Sequence, residues 1–178
     1  MASVCFYFQV HQPFRLRRYS VFDTDRHYFD EYKNAEICRK VAQRCYLPAN
    51  KLMLENIKMH EGRFRIAYSI SGVAIEQFEQ FAPEVMETFQ ELNATGCVEF
   101  LDETYYHSLA FLYSRDEFRA QVDMHRKLMK RLFNQEPPGL PQYRADLQQR
   151  PGPLRQPYGL RRHPRRGRRS GAGRPQPQ

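Results

Sequence analysis

Four polar side chains follow, or lie within, short apolar segments of this chain. His11 and Gln12 come directly after the first apolar run, Glu99 lies inside another, and His107 follows a little further on. Imidazole, amide and carboxylate groups donate and accept hydrogen bonds, so together these residues could bind a polar ligand. A carboxylate inside an apolar strand must be paired, exposed or directed into a polar cavity, because burying it alone is costly.

Three short segments are typical of β-strands, and the segments between them have helical spacing. The predicted strands are residues 3–10, 64–71 and 97–101, and the predicted helices are residues 28–45, 48–59, 73–81, 84–92, 104–113 and 115–133. Strands that alternate with helical crossovers pair in parallel through right-handed connections. The sequence therefore predicts an α/β fold, and a sheet of only three strands favours an incomplete sheet with an open edge.

In parallel α/β folds, functional side chains collect at the carboxyl ends of the strands. His11 and Glu99 are therefore expected to face a common hollow, although a loop histidine that bonds to the backbone is the simpler interpretation of His11 alone. The adjacent Asp102 and Glu103 could form another carboxylate pair. Adjacent side chains usually point apart, however, and a role at the N-terminus of the next helix is an equal alternative.

The basic character of the chain resides in its tail. The net charge is +8, and residues 137–178 alone hold ten Arg and one Asp, with nine of the twelve Pro and six of the nine Gly. Residues 1–136 carry eighteen basic and nineteen acidic side chains. Because the tail has no Val, Ile, Phe, Met or Cys, burial cannot offset the entropy cost of ordering it. We therefore expect one α/β domain over residues 1–136 and a disordered basic tail over 137–178.

Several classes of protein and ligand are not indicated. The chain has no run of about 18 apolar residues and no secretory signal, so we expect no membrane partner and a cytoplasmic location. The cysteines lack CxxC pairing and are interpreted as reduced core residues: Cys5 and Cys97 in strands, Cys38 and Cys45 on one helix face. The six histidines show no HxxxH spacing on a shared face, so no metal and no other cofactor is expected.

Two segments resemble a known enzyme family. Residues 5–16 (Cys-Phe-Tyr-Phe-Gln-Val-His-Gln-Pro-Phe-Arg-Leu) resemble the first signature of glycoside hydrolase family 57, the α-amylase, branching-enzyme and 4-α-glucanotransferase group. Residues 96–101 (Gly-Cys-Val-Glu-Phe-Leu) and 104–109 (Thr-Tyr-Tyr-His-Ser-Leu) resemble the second signature in its α-amylase-type form. The resemblance extends from residue 3 to about residue 136. It implies an incomplete seven-stranded (β/α) barrel and a retaining enzyme that acts on α-1,4-glucans through a covalent glycosyl-enzyme.

The resemblance also implies residue roles. His11 and Glu99 would bind the sugar beside the scissile bond, with Gln12 and His107 as further substrate-binding candidates, and the partner would be an α-glucan or maltooligosaccharide. Retaining hydrolysis needs two carboxyl groups about 5 to 5.5 Å apart. The family takes its nucleophilic Glu from a third signature and its acid/base Asp from a fourth, and the third is not found in this sequence. We therefore expect no catalytic residue in this chain and negligible turnover.

The tail suggests why the third signature is missing. Residues 140–149 can be encoded by bases that, read one base later, give Phe-Arg-Asn-Thr-Glu-Leu-Ile-Tyr-Asn, a string that resembles the third signature. Residues 158–170 can likewise give an apolar, Gly-punctuated string in the shifted frame. Our hypothesis is a frameshift near residues 136–139, real or introduced by sequencing, that replaced the remainder of the barrel with the basic tail.

Two other functions stay open. The arginine pairs at 161–162, 165–166 and 168–169 could bind nucleic-acid phosphates in a salt-dependent manner, although the tail lacks Lys and has few aromatic residues for stacking. A metal-dependent polysaccharide deacetylase would have a related barrel shape and would use His and Asp ligands. No His–Asp cluster follows a predicted strand here, which argues against this second alternative.

Overall fold

The computed structural model describes residues 4–136. The predicted tail disorder and the arginine pairs therefore lie outside the described residues. The helices and strands, in chain order, are β1 (Phe6–Val10), α1 (Glu31–Val41), α2 (Leu47–Met59), β2 (Ile66–Ile70), α3 (Gly72–Phe81), α4 (Pro83–Ala94), β3 (Val98–Phe100) and α5 (Arg115–Phe133). Three strands alternate with helices, as the sequence pattern predicts.

The three strands form one parallel sheet in the order β1-β2-β3. Phe6 pairs with Ile66, and Ile66 pairs in turn with Val98. Helices α1 and α2 connect the first two strands, and α3 and α4 connect the second to the third. The predicted α/β architecture with a parallel sheet is confirmed, while its extension into a seven-stranded barrel stays a prediction.

One face of the sheet is apolar and is covered by helices. Tyr68 at the centre of β2 stacks on Phe8 at a ring-centroid distance of 5.3 Å and lies 6.4 Å from Phe100. The Tyr68 ring also meets Phe89 of α4 edge-on at 5.3 Å. Burial raises the pKa of the Tyr68 hydroxyl to about 12. This face therefore supplies the hydrophobic core, which holds the strands against the helical layer.

The opposite face of the sheet is polar. Side chains alternate along a strand, so the residues between the core positions project to the other side. Tyr7, Ala67 and Glu99 form one row across the three strands, and Gln9 pairs with Ser69 in the next row that projects to this side. This polar face ends at the carboxyl ends of the strands, where His11 follows β1 and His107 lies in the turn after β3.

The prediction that β1 is a buried strand was wrong. Phe6 and Tyr7 are 46% and 40% exposed, because β1 is an edge strand with a neighbouring strand on one side only. The interpretation of all four cysteines as core residues was also wrong: Cys5 and Cys45 are exposed, whereas the other two are buried.

The predicted gap between the first two helices is filled by a single wider turn. Helix α1 begins at Glu31, where the Asp30 side chain accepts the Lys33 backbone N–H at 3.0 Å. A π-helical turn, Ala42–Tyr46, then joins α1 to α2 without an intervening loop. Pro48 near the start of α2 has no N–H, and its ring crowds the carbonyl four residues earlier. The wider turn accommodates that crowding while the chain remains helical.

The predicted helix over residues 104–113 is absent. The structure has only a short 3₁₀ turn, Ala110–Leu112, in this segment. The Thr104 hydroxyl accepts the Ser108 backbone N–H at 2.8 Å and donates to the Ser108 carbonyl at 3.2 Å. Such side-chain hydrogen bonds to the backbone compete with the helical ladder. The result is a tight turn, which places His107 immediately after β3 rather than along a helix.

Candidate functional site

Two imidazole rings meet at the carboxyl end of the sheet. His11 follows β1 directly, and His107 lies in the turn after β3. Their ring centroids are 4.2 Å apart and their planes are inclined by 26°. Both side chains are half-buried, so the pair remains accessible from the polar face. The structure therefore brings together one residue from each of the two predicted ligand-binding segments.

Ser71 holds the His11 ring from the neighbouring strand end. His11 Nδ1 lies 2.7 Å from Ser71 Oγ. Ser71 is the N-cap of α3, and its Oγ accepts the Ala74 backbone N–H at 3.3 Å. We assign the hydroxyl hydrogen of Ser71 as a donor to Nδ1 of His11, because an imidazole nitrogen without a hydrogen accepts hydrogen bonds. In this arrangement the hydrogen of the His11 ring is on Nε2.

The buried carboxylate of Glu103 contacts the His107 ring. The Glu103 side chain is fully buried, and its Oε2 lies 3.0 Å from His107 Nδ1 and 3.1 Å from Gln9 Nε2. The two nitrogen atoms are themselves 3.2 Å apart. An ionised carboxylate only accepts hydrogen bonds, so the simplest assignment has both nitrogens donating to Oε2.

The surroundings of His11 disfavour its protonation. Burial lowers the pKa of the His11 imidazole, the neighbouring His107 lowers it further, and the negative charge of Glu103 opposes both effects. The N-terminal end of α3, capped by Ser71, adds a partial positive charge beside the ring. His11 is therefore neutral at neutral pH, which lets one nitrogen accept and the other donate a hydrogen bond.

The segment after β3 is clamped onto α3. A Cβ added at Gly72 would lie 2.6 Å from the Tyr105 ring, so only glycine allows this close approach. The Tyr105 carbonyl accepts the Val73 backbone N–H at 3.4 Å, and its hydroxyl donates to Glu76 at 2.6 Å. Burial and Glu76 both raise the pKa of the Tyr105 hydroxyl. These contacts fix the turn that carries the His107 ring.

Gln12 is engaged by the helical layer rather than by the two imidazoles. Its side chain is buried, with Nε2 donating to the Tyr46 hydroxyl at 2.9 Å and Oε1 accepting from Arg15 at 3.1 Å. Its backbone carbonyl accepts from Gln77 Nε2 at 2.6 Å. Gln12 thus anchors the turn that carries His11.

Glu99 projects from the same polar face, but far from the imidazole pair. It shares a row with Tyr7, which precedes His11 by four residues, or about 13 Å along a strand. Glu99 is exposed and lines a separate cleft of about 440 Å³ together with Arg65 and Gln135. The structure therefore brings His107, and not Glu99, to His11.

Sequence reasoning overlooked three residues of this cluster: Gln9, Ser71 and Glu103. A signal for Gln9 was present, because a residue two positions before His11 in a strand projects to the same side. For Glu103 the sequence suggested half of a carboxylate pair or a role at the N-terminus of the next helix, and not a contact with His107. Ser71 carried no specific signal, since a serine after a strand is also an ordinary helix cap.

Asp102, next to Glu103, faces the helical layer. Its Oδ2 accepts from Nε and Nη2 of Arg126 at 2.8 and 2.7 Å. His125 Nδ1 lies 4.0 Å from Oδ1, while His125 Nε2 donates to the Ile70 carbonyl at 2.8 Å. Burial raises the pKa of the Asp102 carboxyl, and Arg126 opposes the shift. Asp102 thus joins the end of β3 to α5, and His125 of α5 bonds in turn to the end of β2. These contacts hold the strand ends that carry the site.

The chemistry available at the site is hydrogen bonding. Within residues 4–136, no group of three or more His, Cys, Asp or Glu side chains is arranged to hold a metal ion. In the same part of the chain, no helix combines the length and the apolar character needed to cross a membrane. Imidazole, amide, hydroxyl and carboxylate groups converge at the polar sheet face, and such groups suit a ligand rich in hydroxyls.

Three comparisons give consistent results. The family model for glycosyl hydrolase family 57 matches residues 5–142. A Methanocaldococcus jannaschii protein named "Putative alpha-amylase" is 41% identical over 134 residues, which cover 73% of this chain and 28% of that protein. The crystal structure of 4-alpha-glucanotransferase from Thermococcus litoralis has a similar fold, with a TM-score of 0.57 and 16% identity over 76% of this chain and 18% of that one. The chain thus spans less than a third of the length of either protein.

Proposed function

Because the chain belongs to glycosyl hydrolase family 57, we propose that it is part of an α-glucan-active glycoside hydrolase of the α-amylase type. The names of the two similar proteins, an alpha-amylase and a 4-alpha-glucanotransferase, support an α-glucan as the substrate class. In this proposal the described sheet is part of the family's (β/α) barrel. Its polar face would then line the barrel interior, where hydroxyl-rich ligands are bound at the carboxyl ends of the strands.

The observation that carries this proposal is the meeting of His11 and His107. They come from the two segments that resemble the family signatures, and their rings stack at 4.2 Å. Each neutral imidazole has one donor and one acceptor nitrogen, and each sugar hydroxyl can use both. We therefore assign the two rings to the binding of one glucose unit.

Glu99 and Gln12 stay predicted substrate-binding residues, and the observed contacts favour the imidazole pair over them. Gln12 already uses its amide to hold Tyr46 and Arg15. Glu99 lies about 13 Å along the sheet from His11, so it would meet a different part of a longer glucan.

Titration of the full chain with maltoheptaose, followed by calorimetry, tests the binding function. We expect saturable binding, and about a tenfold loss of affinity, or about 1.4 kcal/mol, in each of His11→Ala and His107→Ala. Cellohexaose, with β-linkages, is the matched ligand control. Glu91→Gln, which changes an exposed carboxylate on α4, is the matched protein control. Absence of maltoheptaose binding, or equal binding of cellohexaose, would contradict the proposal.

We also propose that this chain by itself does not turn over glucan. Retaining hydrolysis requires a nucleophile and an acid/base carboxyl group, and the family resemblance assigns both to signatures that this sequence does not carry. Release of reducing ends from maltoheptaose is the measurement. A rate comparable to that of a complete relative would refute this part of the proposal.

The proposed frameshift near residues 136–139 has its own test. Sequencing the DNA across this region should show a base insertion or deletion, after which the shifted frame continues with the third signature. An unbroken frame that ends in the arginine-rich tail would exclude this explanation without affecting the binding site at His11 and His107.

A further inference from the structure

We propose that Glu103 is a positioning residue that keeps the hydrogen of the His107 ring on Nδ1 and holds this ring against His11. The inference rests on the proposed function only where it concerns a sugar, because the positioning itself is a property of the unliganded chain. Nothing in the predicted set of ligand-binding residues, which comprises His11, Gln12, Glu99 and His107, assigns a role to Glu103.

The burial of Glu103 is the first argument. Its side chain has no exposed surface, and no Arg or Lys is hydrogen-bonded to it among the described residues. Oε2 instead lies within hydrogen-bond distance of His107 Nδ1 and Gln9 Nε2, and Oε1 is buried without a hydrogen-bond partner in the same part of the chain. A buried carboxylate satisfied in this way is costly to the fold. Its presence is therefore better explained by what it does to His107 than by stability.

The second argument is that the partners of the two Nδ1 atoms differ in kind. Ser71 Oγ, which lies 2.7 Å from Nδ1 of His11, can donate its hydroxyl hydrogen, and this assignment puts the hydrogen of His11 on Nε2. An ionised Glu103, 3.0 Å from Nδ1 of His107, can only accept, and this assignment leaves a lone pair on Nε2 of His107. The stacked rings thus combine one Nε2 donor with one Nε2 acceptor. Such a pair complements two neighbouring hydroxyls of a glucose unit, one accepting and the other donating.

The backbone at His107 is the third argument. His107 has a φ of 53°, a left-handed conformation that is uncommon for residues other than glycine. The Thr104–Ser108 hydrogen bonds and a His107 N–H bond to the Thr104 carbonyl at 2.9 Å maintain this conformation. Strained residues persist where the surrounding structure over-determines them. Here the turn holds the backbone of His107 while Glu103 contacts its ring.

The alternative is that Glu103 only anchors the turn, as Asp102 anchors α5. Removal of an anchor would reduce stability, and it would not change which nitrogen of His107 carries the hydrogen. The tautomer therefore separates the two roles.

Long-range ¹H–¹⁵N correlation spectra of the labelled, unliganded full chain at pH 8 provide the test, with His107→Asn used to assign the ring signals. In the unmodified chain, we expect the Nδ1–H tautomer of His107. In Glu103→Gln, the side-chain amide can donate to Nδ1, so we expect a shift towards the Nε2–H tautomer and about a tenfold weaker binding of maltoheptaose. Glu91→Gln should leave the His107 signals unchanged.

An Nε2–H tautomer in the unmodified chain would overturn the inference, and this measurement decides the matter even if Glu103→Gln fails to fold. A folded Glu103→Gln variant that keeps the Nδ1–H tautomer would overturn it too. A tautomer change in a chain that binds no maltoheptaose would support the positioning role while contradicting the proposed function, so the two failures are distinguishable.

Discussion

Asp102 and Glu103 are neighbours in the chain, both have fully buried side chains, and each lies beside an imidazole, yet they serve opposite sides of the sheet. Asp102 faces the helical layer, where it is paired with Arg126 close to His125. Glu103 faces the polar side, where its Oε2 contacts Gln9 and His107. Successive residues of an extended segment project in opposite directions, so one step along the chain separates the two environments.

The difference between the two carboxylates lies in how each charge is compensated. Asp102 has a guanidinium partner, so removal of the carboxylate leaves a partly buried positive charge without its partner. Glu103 has no Arg or Lys hydrogen-bonded to it among the described residues, and it contacts a ring that remains accessible. The comparison teaches that a buried carboxylate stabilises the fold when its partner is a guanidinium of a packed helix, and can order a site when its partner is a ring that reaches the surface.

The largest expected effect is on stability at Asp102. Asp102→Ala should lower the free energy of unfolding by about 3 kcal/mol, because it breaks a buried ion pair with Arg126. Glu103→Gln should cost about 1 kcal/mol, because the amide keeps the shape and one acceptor oxygen. Urea unfolding of the two variants measures both values. A larger loss in Glu103→Gln than in Asp102→Ala would reverse the comparison.

The next largest effect is the loss of stability at the contact between Gly72 and Tyr105, which holds the turn after β3. Gly72→Ala should cost about 2 kcal/mol, because its Cβ would lie 2.6 Å from the Tyr105 ring. In a Tyr105→Ala background the same substitution should cost much less, since the ring is gone. A double-mutant cycle followed by urea unfolding gives the coupling. Additive losses would show that the close approach of Tyr105 to Gly72 does not matter.

A smaller effect distinguishes the contribution of the His107 backbone conformation to stability from the contribution of its ring to binding. His107→Asn should keep the left-handed turn, since Asn tolerates this conformation, whereas His107→Val should be about 1 to 2 kcal/mol less stable than the Asn variant. Both variants should lose the same share of maltoheptaose affinity, because both lack the imidazole. Equal stability of the two variants would contradict the assigned backbone strain.

The smallest effect is the pH dependence that arises from His11. Its pKa in the folded chain lies below the ordinary value of 6.5, so the unfolded chain takes up a proton first on acidification. Stability should therefore decrease as the pH falls below about 6.5, and maltoheptaose affinity should decrease at the lower pH at which His11 of the folded chain takes up its proton. Glu103→Gln removes a charge that raises this pKa, so its affinity should persist to lower pH. Unfolding and calorimetry between pH 5 and 8 provide the measurement, and stability that rises on acidification from this group would contradict the sign.

Much of the fold was predictable from local patterns. The three strands and helices α3, α4 and α5 follow from apolar periodicity and from caps such as Ser71, because these signals lie within a few residues of one another. The segment 104–113 was mispredicted, since the side chains of Thr104 and Ser108 bond to the backbone in a way that helical periodicity does not reveal. The exposure of β1 was missed as well, because the composition of a strand does not show whether it lies at the edge or at the centre of the sheet.

The amino-acid sequence alone determined which segments are strands, that they alternate with helices, and that His11 and His107 belong to segments with binding chemistry. Only the tertiary structure decided that these two rings stack, that Glu99 lies elsewhere, and that Ser71 and Glu103 contact their Nδ1 atoms. The groups at the site are brought together over as many as 98 residues of chain, from Gln9 to His107. Parallel register and the turn after β3 fix that meeting, and both depend on packing across the sheet rather than on any local pattern.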